Sequence, residues 1–182
     1  ALLPMPESLS YAEGASVQTV YLTALYALER CAKITAGERV LIHAAAGGVG
    51  QAAIDVCRRA GAEVIATASR GKHAHLHAQG IEHVFDSRTL DFTDEVKKVT
   101  GGRGVDVVLN CLANEFVEAS FGCLAEGGRF IEIGKLGTWD DDEAQAKRPD
   151  ATYHRFDLAE LVAADPALLT GLQASLAEGL AS

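Results

Sequence analysis

The chain has 182 residues, of which 48% are hydrophobic, and 25 acidic against 16 basic side chains give a formal net charge of −9. This length can bury one sizeable core, and a composition with 18 glycines and only 6% aromatic residues favours helices packed on a sheet over a β-sandwich. The negative charge would repel a nucleic-acid backbone and an anionic membrane surface, so we expect neither as a partner.

The first predicted element is a long helix. Ser10 and Glu13 have capping-box spacing, and apolar residues follow at helical intervals to about Cys31.

The next segment predicts a strand, a glycine-rich turn and a helix. Residues 39–43 (RVLIH) form a short apolar run with β-branched residues. The glycine-rich phrase AAAGGVG follows this run, and residues 51–60 then have a helical period.

The alternation of strand and helix continues along the chain. Further strands are predicted at residues 63–68, 83–86, 105–110, 128–134 and 152–156, and helices at 72–79, 92–99 and 116–124, with two more helical patterns in 158–180 divided at Pro166. The acidic stretch 135–150 has neither period and is predicted to be an exposed loop. Continuously apolar runs such as VLI and VVL are typical of strands covered on both faces, which predicts an α/β, doubly wound parallel sheet (Rossmann fold) with strand order 3-2-1-4-5-6.

The glycine-rich turn predicts a dinucleotide site. Ala45, Gly47 and Gly50 occupy the three positions of the dinucleotide fingerprint, with Ala in place of the first Gly, between a strong strand and a helix. Such a turn brings backbone N–H groups close to a pyrophosphate at the positive end of a helix. The predicted contact residues are Ala46, Gly47, Gly48, Val49 and Gly50. The alternative is a tight turn without a ligand.

The end of the second predicted strand indicates which nucleotide is bound. A site for NAD usually has Asp or Glu there to accept from the ribose 2′-OH, whereas this chain has Ser69, Arg70 and Lys72. A hydroxyl and two cations suit a 2′-phosphate, so the sequence favours NADP(H). The alternative is that the two cations are solvated surface residues.

Five phrases, AAAGGVG, ATASRGK, SRTLDF, GGRGVDVVLN and GGRFIEIGK, occur in this order and carry a resemblance over residues 3–161. They resemble the enoyl reductase domains of polyketide synthases, within the medium-chain dehydrogenase/reductase, quinone-oxidoreductase-like superfamily. The resemblance implies that Ser69, Lys72 and Arg88 bind the 2′-phosphate. It also implies that Asn110 and Gly134 lie along the nicotinamide and its ribose.

Thr23 matches a family position near the nicotinamide. Three residues of this implied site have simpler alternatives: Arg88 could pair with a surface acid, Asn110 could cap its strand, and Thr23 could bond back within its helix.

The implied reaction reduces an α,β-unsaturated thioester carried by an acyl carrier protein, in company with the other domains of a polyketide synthase. Hydride is added to the β-carbon, negative charge develops on the thioester oxygen, and the α-carbon is protonated. Lys135 matches a family lysine proposed as proton donor or electrostatic support, and Asp157 matches its proposed partner or an alternative donor. The alternatives are a solvated loop lysine and, from the spacing of Asp157 and Glu160, a helix cap.

The resemblance also implies a division of the chain. Residues 1–36 form a leading segment and a helix packed on the cofactor domain, residues 37–157 form the Rossmann domain, and residues 158–182 lead toward a GroES-like substrate domain that is nearly absent. We therefore expect this fragment to bind NADPH but to turn over acyl substrates poorly. Two rival interpretations remain open: an NADPH quinone oxidoreductase, and a Rossmann module that acts as a non-catalytic scaffold.

Cysteine and histidine patterns predict no metal site. Four cysteines without a C-x-x-C pair, Cys31, Cys57, Cys111 and Cys123, indicate small core residues, and His73, His75 and His77 lack further ligands at matching spacing. With no leader before Ala1 and no apolar run of ~20 residues, we expect a soluble, cytoplasmic chain. The loop-like start and the end within a helical pattern indicate a piece of a longer protein.

Overall fold

The computed structural model describes the backbone of residues 11–181 and the side chains of residues 17–179. Six parallel strands form one sheet in the order β3-β2-β1-β4-β5-β6, which confirms the predicted doubly wound fold. The strands are β1 (Arg39–Ile42), β2 (Glu63–Ala68), β3 (His83–Asp86), β4 (Val105–Asn110), β5 (Leu124–Glu132) and β6 (Thr152–Arg155). The helices are α1 (Tyr11–Leu25), α2 (Gly48–Ala60), α3 (His73–Ala78), α4 (Phe92–Val99), α5 (Glu115–Phe121), α6 (Asp141–Lys147), α7 (Leu158–Ala164) and α8 (Pro166–Ala181).

Alternate residues of the central strands enter two separate cores. In β1, Val40 and Ile42 pack into the core shared with α1, α2 and α8, whereas Leu41 packs into the core shared with α4 and α5. Burial on both faces explains why the strand sequences are continuously apolar. Each fully buried aliphatic side chain stabilises the fold by roughly 1.5–3 kcal/mol relative to its exposed state.

Helices from both ends of the described chain pack on the same face of the sheet. Leu25 of α1 and Leu172 and Leu176 of α8 belong to one buried cluster. Helix α1 continues directly into a π-helical segment (Tyr26–Cys31). The prediction that the helix ends at about Cys31 is therefore confirmed, but its last six residues are π-helical rather than α-helical. The predicted cap at Ser10 lies outside the described residues.

Two sequence predictions about residues 124–150 were wrong. The stretch 135–150 is not only loop but contains α6, which Asp140 caps by accepting from the Glu143 N–H (2.8 Å) and which Ala144 anchors in the core. One buried residue in a seven-residue helix is too little to give a visible period. Strand β5 begins at Leu124 rather than residue 128, because its Glu-Gly-Gly stretch lies within an irregularity of the ladder with β4.

The cysteines differ in exposure. Cys57 and Cys123 are buried and Cys31 is half-buried, as expected of core residues, whereas Cys111 is exposed. The prediction of a core position was therefore wrong for Cys111, which follows the last residue of β4 and has left the buried part of the sheet. Within residues 11–181, no helix combines the length and the apolar character that crossing a bilayer requires.

His43 joins three elements where β1 leaves the sheet. Its ring is buried, with Nδ1 2.9 Å from Thr67 Oγ1 and Nε2 2.8 Å from Ser120 Oγ. Since the Ser120 hydroxyl donates to the Phe116 carbonyl (2.6 Å), it accepts from Nε2–H, and Nδ1 accepts from Thr67. Burial lowers the pKa of His43 to about 3, so the ring is neutral in the folded protein.

This histidine should make the fold sensitive to mild acid. The unfolded chain protonates His43 near pH 6.5 and the folded chain only near pH 3, so its contribution is complete above pH 6.5 and is lost as the pH falls. We expect the free energy of unfolding to drop by about 1.4 kcal/mol per pH unit between roughly pH 6 and 4. Urea titrations at several pH values should give a shallower slope for His43→Gln, and an unchanged slope for His43→Gln would contradict the assignment. His75→Gln is the control, because His75 is exposed on α3.

Candidate functional site

The turn between β1 and α2 is held close to the sheet by backbone contacts. Ala44 has a positive φ of 48°, and the next residue, Ala45, donates its N–H to the Thr67 carbonyl on β2 (3.0 Å). Gly47 N–H donates to the Ala44 carbonyl (2.8 Å), which closes the turn. A Cβ at Gly50 would lie 2.5 Å from Ala45 Cα, so only glycine allows α2 to pack this close to the strand end.

The N-terminus of α2 presents free donors to this edge of the sheet. Its cap is Gly47, and no side chain of the described residues caps the helix there. The first N–H groups of a helix have no partner within the helix and carry about half a positive charge. This 13-residue helix therefore offers an anion site at the turn.

A pocket of about 200 Å³ opens beside the turn, at the carboxyl ends of β1, β2 and β3. Small residues and polar residues share its lining: Ala44, Ala46, Gly47, Ala68, Ser69, Lys72, Ser87 and Arg88. Three segments that are separate in the sequence, 44–47, 68–72 and 87–88, thus meet where the sequence predicted the nucleotide. Ser87 was missed, although it stands in the SRTLDF phrase beside Arg88.

Two of the three predicted cations line this pocket. Lys72 and Arg88 do so, and no acid among the described residues forms an ion pair with either side chain. Arg70 lies outside the lining, because its exposed side chain donates to Asp86 (2.7 Å). The backbone N–H of Arg88 donates to the same carboxylate (3.0 Å), and this bond, together with Arg70, lowers the pKa of Asp86. Asp86 therefore stays ionised and holds the loop that carries Arg88.

At the other half of the sheet edge, Asn110 is fully buried at the end of β4. Its amide donates to the Leu112 carbonyl (2.9 Å) and to Glu132 Oε2 (2.6 Å), and its oxygen accepts from the Leu112 N–H (3.2 Å). The Gly134 N–H donates to Glu132 Oε1 (2.6 Å). Asn110 thus makes the strand-end contacts of the simpler alternative, and Glu132 is a buried polar residue that the sequence analysis overlooked.

Lys135 and Asp157 meet as an ion pair between the ends of β5 and β6. The hydrogen bond from Lys135 to Asp157 raises the pKa of the lysine and lowers that of the aspartate, so both groups stay charged at neutral pH. Asp157 also caps α7 by accepting from the Ala159 N–H (2.9 Å). The predicted partner and the predicted helix cap are therefore the same carboxylate.

Thr23 is not among the residues that line the pocket, and its hydroxyl bonds within its own helix. Its side chain is half-buried on α1, and its hydroxyl donates to the Thr19 carbonyl one helical turn earlier (2.8 Å). This is the simpler alternative named for it. The other predicted residues lie along the carboxyl edge of the sheet. The cationic pocket lies at the ends of β1 to β3, and the ion pair of Lys135 and Asp157 lies at the ends of β5 and β6.

Comparison with known proteins agrees with this arrangement. A family model described as zinc-binding dehydrogenase matches residues 48–166. The phenolphthiocerol synthesis polyketide synthase Pks15/1 of Mycobacterium marinum is 51% identical over 158 residues, which cover 86% of this chain and 8% of that protein.

Two solved structures are similar over nearly the whole chain. The CurK enoyl reductase has a TM-score of 0.95 and 49% identity, covering 97% of this chain and 53% of that one. The nucleotide-binding subdomain of the enoylreductase domain of PpsC from Mycobacterium tuberculosis has a TM-score of 0.82 and 40% identity, covering 91% of this chain and 94% of the other. The chain thus spans about half of the CurK reductase chain and a small part of the synthase.

The family description names zinc, but the described residues of this chain contain no set of side chains that could bind it. Across the part of the chain that the structure describes, no group of three or more His, Cys, Asp or Glu side chains could hold a metal ion. The described residues therefore do not fit a zinc site, whereas the turn, the free helix end and the cationic pocket fit a phosphorylated dinucleotide.

Proposed function

We propose that this chain, which belongs to the zinc-binding dehydrogenase family and within it to the enoyl reductase domains of polyketide synthases, is the NADP(H)-binding part of such a reductase. The substrate is an α,β-unsaturated acyl thioester on an acyl carrier protein, presented by the other domains of the synthase. The observation that carries the proposal is the cationic pocket beside the glycine turn, at the crevice where doubly wound folds bind nucleotides.

The preference for NADP(H) over NAD(H) follows from the charge of this pocket. Lys72 and Arg88 line it, neither side chain forms an ion pair with a carboxylate of the described residues, and Ser69 and Ser87 add hydroxyl groups. A 2′-phosphate would gain charge-assisted hydrogen bonds there, whereas a ribose hydroxyl would leave two cations unpaired. The pyrophosphate would take the N–H groups at the start of α2.

When bound, the cofactor supplies a hydride for the β-carbon of the thioester. Lys135 is an ammonium at neutral pH, Asp157 raises its pKa further, and the ammonium supports the negative charge that develops on the thioester oxygen. The same ammonium is the proton source for the α-carbon, directly or through water, and Asp157 keeps it oriented. These roles need Lys135 at the edge of the cleft, where its side chain is largely exposed.

We propose the following division of the chain. We assign residues 37–157 to the cofactor domain, residues 1–36 to a leading segment whose helix α1 packs on it, and residues 158–182 to a C-terminal segment that leads toward the substrate domain. This chain spans 53% of the CurK reductase, and we propose that the rest of the intact reductase completes the substrate cleft. We therefore expect the isolated chain to bind nucleotide and to reduce acyl thioesters poorly.

The function is tested in the complete reductase that contains this chain, with NADPH and either a crotonyl thioester or a quinone. We expect reduction of the thioester, and a loss of kcat of about a hundredfold in Lys135→Ala with NADPH binding unchanged. Lys98→Ala is the control, since Lys98 is an exposed lysine on α4. Faster reduction of the quinone would favour the quinone oxidoreductase, and reduction of neither substrate would favour the scaffold. An unchanged kcat in Lys135→Ala would contradict the proposed role of Lys135.

A further inference from the structure

Glu132 is a buried carboxylate to which the proposed reaction assigns no role. It is the last residue of β5, its exposed fraction is 0%, and it lies three residues before Lys135. A carboxylate is rarely buried unless its oxygens are satisfied, and here both are. The partners of this residue show what it holds in place.

The side chain of Glu132 links two loops. Oε1 accepts from the Gly134 N–H and Oε2 accepts from Asn110 Nδ2, each at 2.6 Å. The orientation of Asn110 is fixed in turn, because its amide group also bonds to both the N–H and the carbonyl of Leu112. A side chain at Gly134 would collide with this arrangement, since its Cβ would lie 2.8 Å from Glu132 Oε1.

The backbone of Glu132 reaches the second half of the charged pair. Its carbonyl accepts from the Phe156 N–H (3.3 Å), and Phe156 directly precedes Asp157. Gly134 directly precedes Lys135. One buried residue therefore contacts the chain neighbours of both Lys135 and Asp157, through its side chain on one side and its backbone on the other.

We propose that Glu132 is a positioning residue that sets the backbone beneath Lys135 and Asp157 and thereby aligns their ion pair with the cleft. The inference rests on the proposed function for its kinetic consequence. Its structural part, that the carboxylate fixes the Gly134 N–H and Asn110 together, can be measured independently.

A carboxylate is needed because both of its partners donate. In Glu132→Gln, one acceptor becomes an NH₂ group, so either Asn110 Nδ2 or the Gly134 N–H faces a donor. The double variant E132Q/N110D moves the carboxylate to β4. The carboxylate at position 110 can then accept from the new amide NH₂ at position 132 and from the Leu112 N–H. The oxygen of that new amide accepts from Gly134, whereas the Leu112 carbonyl loses its donor and faces a carboxylate oxygen instead.

The kinetic test uses the complete reductase with NADPH and a crotonyl thioester. We expect Glu132→Gln to lower kcat by about tenfold while KM for NADPH changes by less than about twofold, because a displaced Lys135 costs rate rather than nucleotide binding. The double variant should regain part of the lost kcat, because the contacts of position 132 are restored while the Leu112 carbonyl still faces an acceptor. The control is Asp106→Asn, which removes a partly buried carboxylate at the opposite end of the sheet and should lower stability without lowering kcat.

Amide exchange in the present chain separates the inference from the proposed function. Exchange at Gly134 should accelerate in Glu132→Gln and slow again in the double variant, whatever reaction the enzyme performs. A Glu132→Gln enzyme with wild-type kcat, or a double variant no better than the single one, would overturn the inference. A wild-type enzyme that leaves the thioester unreduced would refute the proposed function instead, and the exchange result would still decide the role of Glu132.

Discussion

Replacing Lys72 and Arg88 together by alanine is expected to weaken NADPH binding by about a hundredfold or more, with little change for NADH. Hydrogen bonds to charged groups contribute roughly 1.5–3 kcal/mol each, and a 2′-phosphate in the pocket would lose two such partners. NADH lacks this phosphate and has nothing to lose. Fluorescence titration of the double variant with each nucleotide measures the two dissociation constants.

Two controls separate a local contact from a general change in charge. Arg103→Ala removes a cation near the start of β4, where Arg103 pairs with Asp106, and should leave both affinities unchanged. Arg70→Ala should have a smaller effect than either pocket cation, because Arg70 is already paired with Asp86. An equal loss for NADPH and NADH in the double variant would show that the pocket does not recognise the 2′-phosphate.

Replacing Gly50 by alanine is expected to destabilise the fold by about 2 kcal/mol and to abolish nucleotide binding. Alanine normally stabilises a helix by about 1 kcal/mol relative to glycine, but here its Cβ would lie 2.5 Å from Ala45 Cα and 2.6 Å from the Ala44 carbonyl oxygen. Both contacts are with backbone, which cannot move aside as a side chain would, and overpacking typically costs about 1–3 kcal/mol. The strain would push the start of α2 away from the turn.

Urea unfolding and NADPH titration of the same variant measure both effects. Gly71→Ala is the matched control, because within the described part of the chain no atom lies within 4 Å of the Cβ that it would add. A Gly50→Ala protein as stable as wild type, with nucleotide still bound, would show that close packing of α2 against the turn is dispensable.

The sequence was most informative where one physical signal dominated. Strands β2, β3 and β4 and helix α4 lie at the predicted residues, because unbroken apolar runs and a clear helical period leave few alternatives. Helix α6 was missed because it depends on the Asp140 cap and on the burial of Ala144, neither of which creates a period. The π-helical turn after α1 has no signal of its own in the amino-acid pattern.

The residues of the site also divide into those that the sequence could predict and those that it could not. The glycine turn, Ser69, Lys72 and Arg88 were predictable because strand order alone brings the ends of β1, β2 and β3 together. Glu132 was not, since its meaning depends on the register in which Asn110 of β4 lies opposite Glu132 of β5. Within FIEI it looks like one polar residue in a buried strand. Knowing the pairing between strands, beyond their order, would have identified it.

A calorimetric titration of this chain with NADPH and with NADH under identical conditions measures the recognition of the 2′-phosphate directly. We expect a single NADPH site and an affinity for NADH that is weaker by about a hundredfold, since only NADPH satisfies Lys72 and Arg88. Equal affinity for the two nucleotides, or no binding of either, would contradict this expectation.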